Sequence, residues 1–159
     1  MLRKRKIDKT IIVFDRNVKA SELNVLTNEF YGEVIITKKL IVDKDLNIEC
    51  DLFVGGDVVK KSPISECEIK INGDLCCYGD IHCNDIEVSG CFFAGGIIYS
   101  KNITVGEDFV CYNKVDAYGC NIIIIGNCEV FTIKAECVKV RGLITTYGGI
   151  SAKYLKAGY

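Results

Sequence analysis

The stretch GDLCCYGDIHCNDIEVSG, residues 73–90, places aliphatic side chains at Leu75, Ile81 and Ile86, at intervals of five or six positions. An amphipathic helix repeats its apolar residues every three or four positions, and a half-buried strand repeats them every second position. Two positions after each aliphatic residue stands a second small or apolar one, at Cys77, Cys83 and Val88. The stretch therefore predicts three short strands, each with two inward side chains around one outward side chain.

These six positions recur at intervals of about 17 residues toward the C-terminus. The columns are Leu75, Phe92, Phe109, Cys128 and Ile144; Cys77, Ala94, Cys111, Val130 and Thr146; Ile81, Ile98, Val115, Ile133 and Ile150; Cys83, Ser100, Ala117, Ala135 and Ala152; Ile86, Ile103, Ile122, Val138 and Leu155; Val88, Val105, Ile124, Val140 and Ala157. Equivalent residues stack only if each strand pairs in parallel with the same strand of the next coil, about 4.8 Å away. The repeat predicts an all-β, single-domain β-helix of about seven triangular coils, with the right-handed form favoured.

The β-helix domain is predicted to span residues 34–159, and residues 1–33 to form a basic arm and a cap on the first coil. Residues 21–32 have helical spacing but also fit a strand, and a short cap closing the open coil is favoured. The coil from Val58 to Ile71 is imperfect, because Lys60 and Glu66 occupy inward positions. We expect a corner loop that bulges outward there.

Charge is distributed unevenly although the net charge is only −1. Both ends of the chain are basic and the middle is acidic, which is also typical of a solvated surface. The basic residues Arg3, Lys4, Arg5 and Lys6 are candidates for contact with an anionic membrane surface or an acidic neighbour, while direct nucleic-acid binding is not favoured. The first residues lack the apolar core of a secretory signal, so a cytoplasmic location with reduced thiols is expected.

The sequence offers no recognisable catalytic, metal or cofactor site. The single histidine, His82, lies between inward residues and is predicted to point outward without a catalytic partner. Four of the ten cysteines fall in core columns. The remaining six are predicted to be outward or at corners: Cys50, Cys67, Cys76, Cys91, Cys120 and Cys137. No zinc-binding spacing and no phosphate-binding glycine loop is present, so a non-enzymatic protein is expected.

Two surfaces are candidates for binding. The last coil leaves no sequence for a cap, so its end is predicted to be covered by a second copy of the protein through Ile150, Tyr154, Leu155 and Tyr159. A second surface, for a basic protein partner, is predicted to include Tyr78, Tyr112, Asp74, Asp80, Asp85 and Glu87. Tyr78 and Tyr112 occupy equivalent positions two coils apart.

The repeat GDLCCYGDIHCNDIEVSG resembles the polymer-forming domain of bactofilins, whose coils also begin with Gly-Asp followed by an aliphatic residue. The resemblance covers roughly Leu40 to Ala157 and implies a right-handed β-helix that polymerises through its ends without nucleotide. It also implies a short N-terminal segment that touches the membrane. The chain has one proline and ten cysteines, which departs from that family.

Two other functions are weighed beside the structural one. A phage- or bacterium-encoded binding module would dock its acidic coils on a basic protein, for example as an inhibitor of a nucleic-acid-binding host system. The third alternative is a hexapeptide-repeat acyltransferase, which such a β-helix also resembles and in which His82 would be the base. The expected partner is foremost the protein itself, as a homo-oligomer or filament.

Overall fold

The computed structural model describes residues 10–26 and 32–158, which form one continuous parallel sheet wound into a solenoid of about seven coils. Each coil crosses three flat faces in turn before the chain rises to the next coil. The outward side chains of a face line the surface, and the inward ones fill a single core. The all-β solenoid predicted from the repeat is confirmed.

Face 1 is formed by β1 (Thr10–Phe14), β3 (Gly32–Ile36), β6 (Asp51–Val54), β9 (Leu75–Cys77) and β12 (Phe92–Ala94). Face 2 is formed by β2 (Val18–Lys19), β4 (Leu40–Val42), β7 (Val58–Lys60), β10 (Ile81–His82) and β13 (Ile98–Ser100). Face 3 is formed by β5 (Leu46–Ile48), β8 (Glu68–Ile71), β11 (Asp85–Val88) and β14 (Asn102–Val105). The last three coils are single long strands that turn through all three faces: β15 (Phe109–Ile124), β16 (Cys128–Val140) and β17 (Ile144–Ala157).

The pairing register between coils confirms the predicted columns. On face 1, Phe92 pairs with Leu75 on one side and Phe109 on the other, and the two phenylalanine rings lie 5.1 Å apart between centroids. On face 2, Ile98 pairs with Val115, and the same column continues upward in register. Each large aliphatic side chain buried in this way contributes about 1.5–3 kcal/mol to the free energy of folding. Because this burial needs the neighbouring coils, no coil is stable by itself.

The N-terminal segment assigned to an arm and cap contains two strands that belong to the stack. Strand β1 pairs in parallel with β3, and β2 pairs with β4, so regular structure begins at Thr10 in the described part of the chain. A helix, α1 (Ala20–Leu26), then takes the place of a face 3 strand. The helical alternative for residues 21–32 is therefore the one present in the described part of that stretch.

Helix α1 covers the edge of β5, where one of its side chains makes the hydrogen bonds that a neighbouring strand would make. The Asn24 amide donates from Nδ2 to the Asp45 carbonyl (2.7 Å) and accepts at Oδ1 from the Asn47 N–H (3.0 Å). Leu23 of the helix is fully buried against the core. At this face the first coil is thus closed, as the prediction of a cap required.

A loop of residues 61–67 leaves the solenoid between β7 and β8, which confirms the predicted bulge. Its extra length raises the distance between paired positions to 23 residues, as between Val58 and Ile81. The Lys60 amine reaches over the loop and donates to Asn84 Oδ1 (2.9 Å). Glu66 is exposed, so its predicted inward position was wrong, and the buried residue at this corner is Cys67.

The cysteine positions follow the prediction, but burial extends beyond the core columns. The column residues Cys77, Cys83, Cys111 and Cys128 are buried as predicted. Cys50 and Cys67, which the sequence placed outward or at corners, are also buried, at 4% and 7% exposure. Both lie at turns where a small side chain fits between two strands and turns toward the core. The described thiols form no disulfide.

Burial gives these thiols a strong preference for the neutral form. Desolvation raises the pKa of Cys77, Cys83 and Cys128 to about 12 and that of Cys111 to about 11. The Cys83 thiol also donates to the carbonyl of Cys67 at 3.1 Å. A thiol in an unfolded chain has a pKa of about 8.5, so unfolding releases protons in alkaline solution.

We therefore expect the free energy of unfolding to fall as pH rises above about 9. In that range the unfolded chain binds fewer protons than the folded chain, which contributes about 1.4 kcal/mol per pH unit for each such thiol. The Cys83→Ser variant keeps a hydroxyl that can donate to the Cys67 carbonyl but loses the titrating thiol. Its free energy of unfolding should therefore fall less steeply with pH, by about 1.4 kcal/mol per pH unit. Urea titrations between pH 8 and 10 measure both slopes, and identical slopes would contradict the burial argument.

A charge in the column of small residues is expected to break the core. Ala117→Glu places an unpaired carboxylate at a fully buried position and should cost about 4 kcal/mol or more. The matched control is Asp116→Glu, whose side chain points outward beside Lys114 at 3.2 Å and should change stability by about 0.5 kcal/mol or less. Equal thermal midpoints for the two variants would show that the register is different.

Candidate functional site

The C-terminal end of the solenoid is the edge of β17, which pairs with β16 on one side. Within the described chain nothing lies on its other side. The coils below show which way the unpaired backbone groups of β17 point. The Phe109 N–H donates to the Asn127 carbonyl, and the Cys128 N–H donates to the Leu143 carbonyl, in each case one coil closer to the C-terminal end. By the same register, the N–H of Ile144 points out of the end. A strand edge with such a row of groups is a template for pairing with another chain.

Apolar side chains accompany this open backbone. Ile144, Ile150 and Ala152 of β17 pack against the core of the coils below but are only partly buried. Leu155 is 50% exposed, whereas Val138, its partner one coil below, is fully buried. Leu155 is therefore exposed because, in the described chain, no residue of a further coil covers it.

The residues predicted for self-association do not all lie at this end. Ile150 and Leu155 are inward residues of β17 and contribute to the open surface. Tyr154 points outward from face 3, where the Lys139 amine stands 5.9 Å from its ring centroid. Tyr159 lies outside the described residues. The end surface is thus formed by inward side chains and backbone, and Tyr154 borders it.

Face 1 carries four aromatic side chains that we call the aromatic ladder: Phe53, Tyr78, Phe93 and Tyr112. Successive ring centroids are 5.3, 5.7 and 5.4 Å apart, and the rings meet edge to face. Phe131 and Tyr147 continue the same corner in the last two coils, both about half or more exposed. The equivalence of Tyr78 and Tyr112 is confirmed, but the sequence analysis missed Phe53 and Phe93. Those two residues stand at outward positions of alternate coils, which was the available signal.

The opposite edge of face 1 explains why the repeat begins with Gly-Asp. Asp74 Oδ1 accepts from the backbone N–H of Cys91 in the next coil at 2.8 Å. Asp108 and Asn127 accept in the same way two and three coils later, from the backbone N–H groups of Asn127 and Leu143 at 2.7 and 2.9 Å. A Cβ atom added at Gly90 would collide with Asp74 Oδ1, so the glycine allows the carboxylate to lie beneath the next corner.

The six residues predicted as one partner surface are separated by the fold. Asp74 lies at the edge of face 1, and Tyr78 and Tyr112 lie across the same face. Asp80 belongs to the following corner, where its Oδ1 accepts from the Ile97 N–H at 2.8 Å. The two remaining residues are on face 3: Asp85 accepts from Asn102 Nδ2 at 2.9 Å, and Glu87 is 3.7 Å from Lys70. The six residues are therefore spread over different faces, because successive strands of one coil face three directions, and binding of a basic partner by any of them stays a prediction.

The two remaining chemical candidates have structural explanations. His82 points outward from face 2, as predicted, and its ring meets Tyr99 edge to face at 4.7 Å. Within residues 10–26 and 32–158, one group with suitable spacing for a metal is formed by Asp74, Cys91 and Glu107. Its members already bond to one another, since Asp74 accepts from the Cys91 N–H and the Cys91 thiol donates to Glu107 at 3.3 Å.

Comparison of the chain with protein-family models, with curated proteins and with solved structures gives no match. The likeness to bactofilins therefore rests on the style of the repeat. In the described residues, none of the helical structure reaches the length and apolarity that crossing a bilayer requires. Arg3, Lys4, Arg5 and Lys6 lie outside the described residues, so contact of these residues with an anionic surface stays a prediction.

The corner bond of Asp74 can be tested by two substitutions at one position. Asp74→Ala removes the acceptor of the Cys91 N–H and should lower the free energy of unfolding by about 1 kcal/mol. Asp74→Asn keeps an oxygen in that place, as Asn127 does naturally, and should leave stability within about 0.5 kcal/mol of the original. Urea unfolding curves measure both. An equal loss in the two variants would mean that the charge, and not the hydrogen bond, holds the corner.

Proposed function

We propose that this protein is a non-enzymatic structural protein that self-associates through the C-terminal end of its solenoid. The observation that supports the proposal is the open edge of β17, 14 residues long, with the half-exposed Leu155 above a fully buried column. Docking a second chain there satisfies backbone groups and completes the core columns at once. Neither gain is available to an isolated coil end in water.

The two ends of the solenoid differ, and the difference favours one mode of association. Helix α1 covers β5 at the N-terminal end, so within the described residues a second solenoid stacked there would find strand edges on faces 1 and 2 but not on face 3. The C-terminal end offers all three. Two C-terminal ends related by a two-fold axis give a closed dimer, whereas a head-to-tail contact gives an open filament. The dimer is therefore the favoured product.

Charge at this end opposes the contact and makes it sensitive to salt. Strand β17 carries Lys153 and Lys156 and no acidic residue. Lys153 forms an ion pair with Glu136 of the coil below. Two copies that meet end to end bring these amines together, so we expect association to strengthen as ionic strength rises and screens the repulsion. A contact held by opposite charges would show the reverse dependence.

The broader assignments stay hypotheses that accompany the proposal. A bactofilin-like, cytoskeletal role would require the N-terminal end to join as well, and a cytoplasmic location is compatible with the free thiols. For a hexapeptide-repeat acyltransferase, His82 would have to reach a bound acyl donor. Its ring instead packs against Tyr99, and this contact does not favour the acyltransferase alternative.

The open edge is tested by placing a charge in the unfinished column. Leu155→Lys should leave the fold intact, because the side chain is half exposed, and should make the protein monomeric, because an inward charge at a strand edge blocks pairing. The matched control is Ile64→Lys, in the loop of residues 61–67, where the side chain is 91% exposed. Light scattering after size exclusion gives the mass, which for one chain is 17.6 kDa.

We expect the unaltered protein and Ile64→Lys to have at least twice the mass of one chain, and Leu155→Lys to have the mass of one chain. Negative-stain microscopy of the unaltered protein separates closed dimers from filaments. If the unaltered protein stays monomeric at millimolar concentration and high salt, the proposal is wrong.

A further inference from the structure

In the described residues, the strands of face 1 carry acidic and aromatic side chains, and the one cation recorded against a ring of these strands is Arg16, which follows β1 and stands 5.3 Å from the Phe14 ring centroid. The edge of this face holds five outward carboxylates that we call the acidic edge: Glu33, Asp51, Asp74, Glu107 and Asp108. Among the described residues of face 1, from β1 to the first segment of β17, none is Lys or Arg. The aromatic ladder lies along the opposite side of the same face. A surface of this composition is complementary to a cationic segment that also offers apolar contact.

The carboxylates follow the axis of the solenoid closely. Asp51 and Asp74 occupy paired positions in adjacent coils, and Glu33 pairs with Asp51 one coil earlier. Adjacent coils are about 4.8 Å apart, so Glu33, Asp51 and Asp74 repel one another over three successive coils. Cys91 occupies this position in the next coil, and Glu107 and Asp108 follow in the coil after it. The Asp74 and Asp108 side chains cannot turn away, because each has one oxygen bonded to the next coil. A row of cations along this edge would relieve the repulsion.

The chain has one segment with the matching chemistry. Residues 1–9, MLRKRKIDK, contain five basic side chains and one acidic side chain. The segment joins the described structure at Thr10, the first residue of β1, and the next residue, Ile11, pairs with Glu33 of the acidic edge. The connection therefore places the basic segment at the beginning of the row of carboxylates.

The length of the segment also fits the row. From the coil of Ile11 to the coil of Asp108 there are five steps, or about 24 Å. Nine extended residues span up to about 30 Å, so the segment reaches the last carboxylate of the row. A tether this short gives an effective concentration in the millimolar range, which favours the segment of the same chain over that of another copy.

We propose that the acidic edge of face 1 binds the basic segment of residues 1–9 of the same chain. Its Lys and Arg side chains pair with the carboxylates, and an arginine reaching across the face stacks on the exposed rings of Tyr78 or Tyr112. The same cations then serve either this edge or an anionic surface, but not both at once. This inference is independent of the assembly at the C-terminal end.

The test uses full-length protein and a labelled peptide of sequence MLRKRKIDK. The segment variant removes four basic side chains of residues 1–9, so that the acidic edge is free to bind the peptide. It combines Arg3→Ser, Lys4→Ser, Arg5→Ser and Lys6→Ser. The edge variant adds Asp74→Asn and Asp108→Asn, which keep the corner bonds as Asn127 does but remove two charges. The control adds Glu66→Gln and Glu68→Gln, two exposed acidic residues away from face 1. All proteins carry Leu155→Lys as well, and mass measurement verifies that each is a monomer, so that end-to-end assembly does not enter.

Fluorescence anisotropy at low salt should show the peptide binding to the segment variant. Relative to the segment variant, the edge variant should bind the peptide at least tenfold more weakly, and the control should bind it equally well. Protein that keeps its own basic segment should also bind the peptide at least tenfold more weakly than the segment variant. Raising the salt concentration should also weaken it. Failure of the segment variant to bind the peptide, or equal losses in the edge variant and the control, would overturn the site. Equal binding with and without the protein's own segment would overturn its occupation by that segment. None of these outcomes depends on whether the C-terminal ends associate.

Discussion

Parallel hydrogen bonding from each coil to the next is the interaction on which the rest of this structure depends. Because the strand on one face of β1 to β14 has only two to five residues, its own contacts cannot hold it, and its stability comes from the strands above and below. The pairing fixes the register, and the register aligns side chains of matching size such as Phe92 and Phe109. Burial of these columns then makes the backbone pairing favourable. A fault in one coil therefore affects its neighbours, which is why a single charge at Ala117 is expected to be costly.

The corners use acidic residues for a structural purpose, and this changes how the surface charge is understood. Asp74 was a predicted partner-binding residue, but it accepts a backbone N–H from the following coil, and Asp108, two coils later, does the same. An asparagine at residue 127 does the same without charge. The carboxylates thus hold the corners and also create a repulsive row along face 1. The proposed binding of the basic N-terminal segment would resolve that repulsion within the same chain.

A stack of this kind has to end, and the two ends of this solenoid are treated differently. At the N-terminal end, α1 replaces a strand and Asn24 satisfies the edge of β5. At the C-terminal end, β17 carries the same inward pattern as the coils below but has no cover within the described chain. The proposed self-association follows from that asymmetry. The lysines of β17 moderate it, as charged residues at strand edges often do.

The sequence by itself determined the architecture, because in a solenoid the same contact is repeated and therefore appears as a period. The six columns, the bulge after Lys60 and the outward position of His82 were all readable for that reason. The tertiary structure decided what has no period: the burial of Cys50 and Cys67 at turns, the aromatic ladder formed by Phe53 and Phe93 with two tyrosines, and the separation of Asp85 and Glu87 from face 1. Spacing along a chain gives the direction of a side chain within one strand. Which outward side chains meet depends on how sharply the chain turns at each corner, and that angle is set by packing in three dimensions.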